Sequence, residues 1–176
     1  FAAKYAVSLR TKKLTLIGAE GLAAFYSGLL DLYKDVLSPQ VYEVNFREIK
    51  ETVLEFGQYQ IKSMPMSHTP QSLGYRVESG SGVVVYSGDT DVCENIIKLG
   101  KDADILILDC SFPDQMKVPG HLTPQEAGRI AHQANCRTLV LTHLYPVCQE
   151  AVLIQQAKQT FRGNIVVASD LMTIKP

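Results

Sequence analysis

Between Leu14 and Tyr33 the apolar residues change their period. "LTLIG" is a short apolar run, "AEG" interrupts it, and Leu22, Phe25, Tyr26, Leu29, Leu30 and Tyr33 then recur at helical spacing. This predicts a strand, a glycine turn and an amphipathic helix whose stripe faces the core. Residues 41 to 66 alternate loosely, as in "VYEVNFREI" and "QYQIKSMPM", which predicts antiparallel strands. "GYRVESGSGVVVYSGD" predicts a hairpin turning at Ser79-Gly80-Ser81-Gly82.

After the hairpin, strand and helix alternate. "DVCENIIKL" reads as a short helix, with Asp91 as its cap, Glu94 three residues on, and Gly100 at the left-handed closing position. "DILILDC" is a nearly continuous apolar strand. "TPQEAGRIAHQA" carries the strongest local signal: Thr123 caps, Pro124 fits the first helical position, and Glu126 completes a T-x-x-E capping box. "TLVLTH" reads as a buried strand, "EAVLIQQAKQTF" as a helix and "NIVVASD" as a last strand. Hairpins followed by βαβ-like units predict an α/β fold with a mixed sheet.

Several of these apolar strands end in a residue able to bind metal or move protons: Asp89, Asp109, His143 and Asp170. The carboxyl ends of such strands are where α/β folds build sites, and strands lying side by side would gather these ends on one edge. His68, after "KSMPMS", and His121, before the capped helix, hold similar loop positions. Singly, each has a plainer reading. Asp89 and Asp170 suit turns, His143 suits a core histidine, and His132 lies opposite its helix's apolar face and should be exposed. The group is what points to a site. Two imidazoles and a carboxylate suit a hydrolytic zinc or manganese centre, and one aspartate can bridge two cations about 3.5–4 Å apart. Three ligands are too few for two metals, so a two-metal site needs others.

Composition narrows the options. With 176 residues, 46% of them hydrophobic and 20% charged, the chain suits one soluble domain, 1–176, and no apolar run could span a bilayer. The formal net charge of −1 and one basic cluster (Lys4, Arg10, Lys12, Lys13) lend no support to a nucleic-acid partner. Cys93, Cys110, Cys136 and Cys148 form no C-x-x-C pair, which excludes zinc-ribbon spacing and suits small buried thiols in a reducing compartment, hence a cytoplasmic protein. The chain starts at Phe1 and reads as an internal stretch.

The order "SHTPQSLGYR", "YSGDT", "DCSF", "GHLTPQEAGRIA", "LTHLYP" and "VVASDLMTI" resembles the second half of a metallo-β-lactamase-fold hydrolase. Within that superfamily it is most similar to the ribonuclease Z branch and its phosphodiesterase relatives. The resemblance implies the C-terminal portion of an αββα sandwich with a mixed sheet. It implies that His68 binds one metal, Asp89 bridges two and His143 binds the other, the metals being zinc, with manganese as the alternative. It also implies that His121, in an H-x-T motif, is the general acid that protonates the leaving oxygen while metal-activated hydroxide attacks phosphorus. The assisting acid of the family's H-E-A-T-F stretch falls on "LDCSF", so Asp109 replaces Glu and Leu108 replaces the motif's histidine.

Two departures shape the expectation. The family's H-x-H-x-D-H signature is absent and should precede Phe1, so the chain by itself should be inactive. The tRNA-gripping arm between the third histidine and G-D-T is also absent, because only 21 residues separate His68 from Asp89. That argues against tRNA and for a small phosphodiester or nucleotide-like substrate. The alternatives are an acyl hydrolase (ester, thioester or lactam) of the same fold and a catalytically inactive structural or interaction module. Dimers are common in this branch, which leaves a homodimer open.

Overall fold

In the computed structural model, residues 11–39 and 42–176 are described, in two compact units that meet in sequence at Lys50 and Glu51. Of the basic cluster, Lys4 and Arg10 lie outside the described residues, and Lys13 pairs with Glu43 at 2.8 Å on the surface.

The first unit is a βαβ arrangement. Strand β1 (Leu14–Gly18) pairs in parallel with β2 (Val44–Glu48), Leu14 opposite Val44 and Gly18 opposite Glu48. Helix α1 (Leu22–Tyr33) connects them. Glu48 accepts the Ala23 N–H at 3.0 Å, so a strand residue satisfies one of the helix's free first-turn donors. Tyr26 meets Phe46 with ring centroids 5.1 Å apart. Two expectations are corrected here. The segment after Val41 was expected to be antiparallel throughout, yet β2 is parallel to β1, because a helix and not a tight turn joins them. The expected core-facing stripe is only partly covered: Leu22, Tyr26, Leu29 and Leu30 are half-buried, whereas Phe25 is 65% exposed and Tyr33 is 51% exposed. Within this unit two short strands are too narrow to cover the whole apolar face of a 12-residue helix.

The second unit is a mixed sheet in the order β3-β4-β5-β6-β7-β8-β9. Strands β3 (Thr52–Phe56), β4 (Tyr59–Pro65), β5 (Leu73–Ser79) and β6 (Gly82–Tyr86) form an antiparallel meander. The expected hairpin turn is present, with Ser79 opposite Gly82. Strands β7 (Ile105–Asp109), β8 (Thr138–Thr142) and β9 (Asn164–Val167) then add in parallel to β6. Helices α2 (Glu94–Gly100), α3 (Pro124–Ala134) and α4 (Glu150–Ala157) make the crossovers. This is the mixed α/β architecture expected from the pattern.

Alternation along the strands divides the core. Val85, Leu106, Leu108, Leu139 and Leu141 are fully buried in one cluster with Ile96 and Leu99 of α2, Ile130 of α3 and Leu153 of α4. On the other face Val84, Ile105, Ile107 and Val140 line a cavity of about 270 Å³ with Ala168, Ser169, Met172 and Ile174. Strands covered on both faces read as unbroken apolar runs, which is why "ILILD" and "TLVLT" show no period of two.

Two helix-end expectations fail. Gly100 is the last helical residue of α2, and the left-handed backbone falls on Asp102 (φ 53°). Gly100 is needed for proximity, since a Cβ there would lie 3.1 Å from the Ala134 Cβ and 3.2 Å from Leu106. The residue capping α2 is Cys93 and not Asp91, because the Asp91 carboxylate is engaged elsewhere. Helix α3 starts as expected: Glu126 accepts the Thr123 N–H at 3.0 Å in a closed capping box, and His132 is exposed. All four cysteines are free, Cys110 and Cys136 buried and the other two half-buried. Among the described residues no helix is long and apolar enough to cross a membrane.

Candidate metal centre

Strands β4, β6, β7 and β8 run in the same direction, β4 by two antiparallel steps from β6 and the others by parallel pairing. Their carboxyl ends therefore open on one edge of the sheet. His68 follows β4, Asp89 follows β6, Asp109 ends β7 and His143 follows β8. The sequence logic of strand ends gathering at one edge holds. Asp170 lies exposed beyond β9 and joins no cluster among the described residues.

Asp109 is the buried hub, its side chain fully covered. Its Oδ2 accepts the Thr90 backbone N–H at 3.2 Å and lies 2.8 Å from His121 Nδ1. Its Oδ1 accepts the Ser111 hydroxyl at 2.8 Å. Its own N–H donates to Ser87 Oγ at 3.0 Å. A carboxylate with this many donors is held in one rotamer and fixes the imidazole beside it, Nδ1–H toward the acid and Nε2 outward. The shorter aspartate in place of glutamate therefore still reaches its histidine.

His143 sits just past the end of β8 with a left-handed backbone (φ 60°), a conformation that costs a non-glycine residue about 1–2 kcal/mol. Its Nδ1 lies 3.1 Å from Ser111 Oγ, 3.3 Å from Asp89 Oδ1 and 3.4 Å from Asp109 Oδ1. Ser111 thus links the Asp109 hub to His143, a role the sequence reading did not assign. His68 Nδ1 lies 3.1 Å from the Gly120 carbonyl oxygen, and its ring centroid is 4.9 Å from that of His121. The His121 and His143 centroids are 5.2 Å apart. His121 is thus the neighbour of both other histidines.

Among the described residues, ligand atoms of Asp89, His121 and His143 lie within 4.8 Å of one another, close enough for one metal ion. Two imidazoles and a carboxylate are borderline-to-hard donors suited to zinc or manganese. Among the described residues no cysteine joins this cluster, and burial pushes the Cys110 and Cys148 thiols above the usual range. Tyr86 is shifted up as well, by burial first and then by the charges of Asp89 and Asp109, so its phenol stays neutral beside the site. The donor set fits a divalent cation. The set that converges includes His121, whereas the resemblance selects His68 with Asp89 and His143.

The loop carrying His121 is held by Lys117. Its ammonium donates to Asp91 Oδ1 at 2.7 Å, Glu126 Oε2 at 2.6 Å and the His121 carbonyl oxygen at 2.6 Å. Asp91 Oδ2 accepts the Gly120 N–H at 3.0 Å. Burial works to raise the Asp91 pKa, but hydrogen bonds from Lys117, Gly120 and Val92 outweigh it and hold the carboxyl below its usual range. Burial likewise opposes the Lys117 charge, and its two carboxylate partners overcome it and raise its pKa.

This architecture and strand-end cluster agree with the comparisons to known proteins. The family model for the Beta-lactamase superfamily domain matches residues 7–144. An uncharacterized Mycobacterium tuberculosis protein is 32% identical over 143 residues, covering 80% of this chain and 50% of that protein. The probable metallo-hydrolase YhfI of Bacillus subtilis is 36% identical over 117 residues, covering 65% and 48%. Its crystal structure superposes with a TM-score of 0.75 at 26% identity, covering 89% of this chain and 62% of that one. Ribonuclease Z of Methanosarcina acetivorans is 39% identical over 98 residues, covering 52% and 32%. The chain belongs to the beta-lactamase superfamily and has the metallo-β-lactamase fold. It spans about half the length of the first of these relatives.

Proposed function

We propose that the protein to which this chain belongs is a metal-dependent phosphodiesterase, with Asp89, His143 and His68 as metal ligands and His121 as general acid. Two divalent cations, zinc or manganese, are the expected cofactors. When bound, such ions polarise a phosphoryl oxygen and make water nucleophilic at neutral pH. The chain's own residues do the rest. Asp109 holds His121 through Nδ1 and so orients Nε2 as the atom from which a proton passes to the leaving oxygen. The N-terminus of α3, three residues beyond His121, adds a dipole that favours a phosphate.

The observation that carries this reading is the 2.8 Å pair between His121 and the buried Asp109, placed among Asp89, His68 and His143. A ribonuclease among the relatives supports a phosphodiester bond as the target. The net charge near zero and the short span from His68 to Asp89 favour a small phosphodiester or nucleotide-like substrate over tRNA. The convergence of Asp89, His121 and His143 favours a second reading, in which His121 is itself a ligand. A metal-bound histidine also commonly gives its other N–H to a carboxylate, so the Asp109 pair suits both readings.

Both share Asp89. We expect Asp89→Ala in the intact protein to weaken metal binding by more than the roughly 10–100-fold that loss of a supporting residue costs. Dialysis against a chelator series followed by elemental analysis measures this. Unchanged metal affinity would remove Asp89 from the ligand set and the metal centre from this edge.

A further inference from the structure

We propose that Lys117 is a positioning residue for the histidine pair, a three-point strap that sets His121 against Asp109; this rests on the phosphodiesterase reading above. An ammonium has three protons, and here each has an acceptor on a different segment. One goes to Asp91 after β6, one to Glu126 in the first turn of α3, and one to the backbone oxygen of His121 itself. The side chain is 31% exposed, with Asp91 at 28% and Glu126 at 22%, so the cluster is partly shielded from solvent.

The strap acts on both histidines at the mouth. Asp91 uses its second oxygen on the Gly120 N–H, and the Gly120 carbonyl oxygen meets His68 Nδ1. Gly120 has a left-handed backbone (φ 87°), and a Cβ there would lie 2.8 Å from His68 Nδ1. The turn is therefore packed against His68 on one side and tied to Lys117 through Asp91 on the other. Glu126 is shared as well, since the oxygen that accepts from Lys117 also accepts the Thr123 N–H that starts α3. Lys117 thereby ties the loop before His121 to the helix after it. Its position in sequence gives no hint of this, because Asp91 lies 26 residues away.

A planar guanidinium cannot copy three divergent bonds from a single nitrogen, so arginine should restore charge and only part of the geometry. Misplacing a reacting group by about 1 Å can cost on the order of 100-fold in rate. In the intact, metal-loaded protein acting on a bis-aryl phosphodiester, we expect Lys117→Met to lower kcat about 10–100-fold with KM changed less than about twofold. Lys117→Arg should fall between that variant and the unaltered protein. Crystal structures of both variants should show the His121–Asp109 separation lengthened from 2.8 Å, more in the methionine variant.

A methionine variant with undiminished kcat and an unmoved His121 would overturn the proposal. So would an arginine variant indistinguishable from the unaltered protein, which decides the matter if the methionine variant does not fold. If the unaltered protein cleaves no phosphodiester, the proposed function fails, and the His121–Asp109 separation in the variants alone decides the role of Lys117.

Discussion

His121→Ala in the intact protein should lose about 10²–10⁴-fold in kcat on a phosphodiester with a poor leaving group while keeping its full metal content. The geometry behind this is a histidine whose Nδ1 is held by a buried carboxylate, leaving Nε2 for a proton. A good leaving group, such as nitrophenolate, needs little protonation, so the loss should shrink as the leaving-group pKa falls. That dependence separates an acid from a ligand. Loss of metal together with activity, independent of leaving group, would establish the alternative in which His121 completes the cluster with Asp89 and His143.

The second large effect concerns Asp109. Asp109→Leu keeps much of the volume and removes an acceptor used by Thr90, Ser111 and His121. The Thr90 N–H would be stranded, and the Ser111 hydroxyl left with His143 Nδ1 alone, in a region where the native side chain is fully covered. Unmade bonds of buried donors cost about 1–3 kcal/mol each, so a loss of about 3 kcal/mol in unfolding free energy is expected. Urea denaturation reads it directly. Activity should fall at least as far as in His121→Ala, because the tautomer and rotamer of His121 both depend on this carboxylate. A stable Asp109→Leu protein with near-native turnover would show that the hub is incidental.

Much of this site was legible in the sequence because its signals are local. An apolar run ending in Asp109 or preceding His143 marks a strand end, and parallel pairing brings such ends together. The capping box of α3 depends on residues three apart and formed as read. Failures came where a long-range partner outbid a local preference. Asp91 has the right type and spacing for a cap, yet Lys117 and Gly120, from a distant loop, take its carboxylate. Gly100 occupies a helix end, yet its role is to let Ala134 and Leu106 approach, and neither neighbour is adjacent in sequence. Lys117 had no motif to announce it, and Ser111 lay inside "DCSF" with no role assigned, since what defines both is what they bridge. The stripe on α1 was read correctly as apolar, but periodicity cannot say how much of it two short strands can cover.

The activity is defined by the bond that is broken. It is tested most directly by measuring kcat/KM of the intact, zinc- or manganese-loaded protein on a bis-aryl phosphodiester and an aryl carboxylic ester side by side. Phosphodiester cleavage should dominate, disappear on metal removal and return on metal addition. Efficient ester hydrolysis with no phosphodiester cleavage would contradict it and assign the site to acyl transfer.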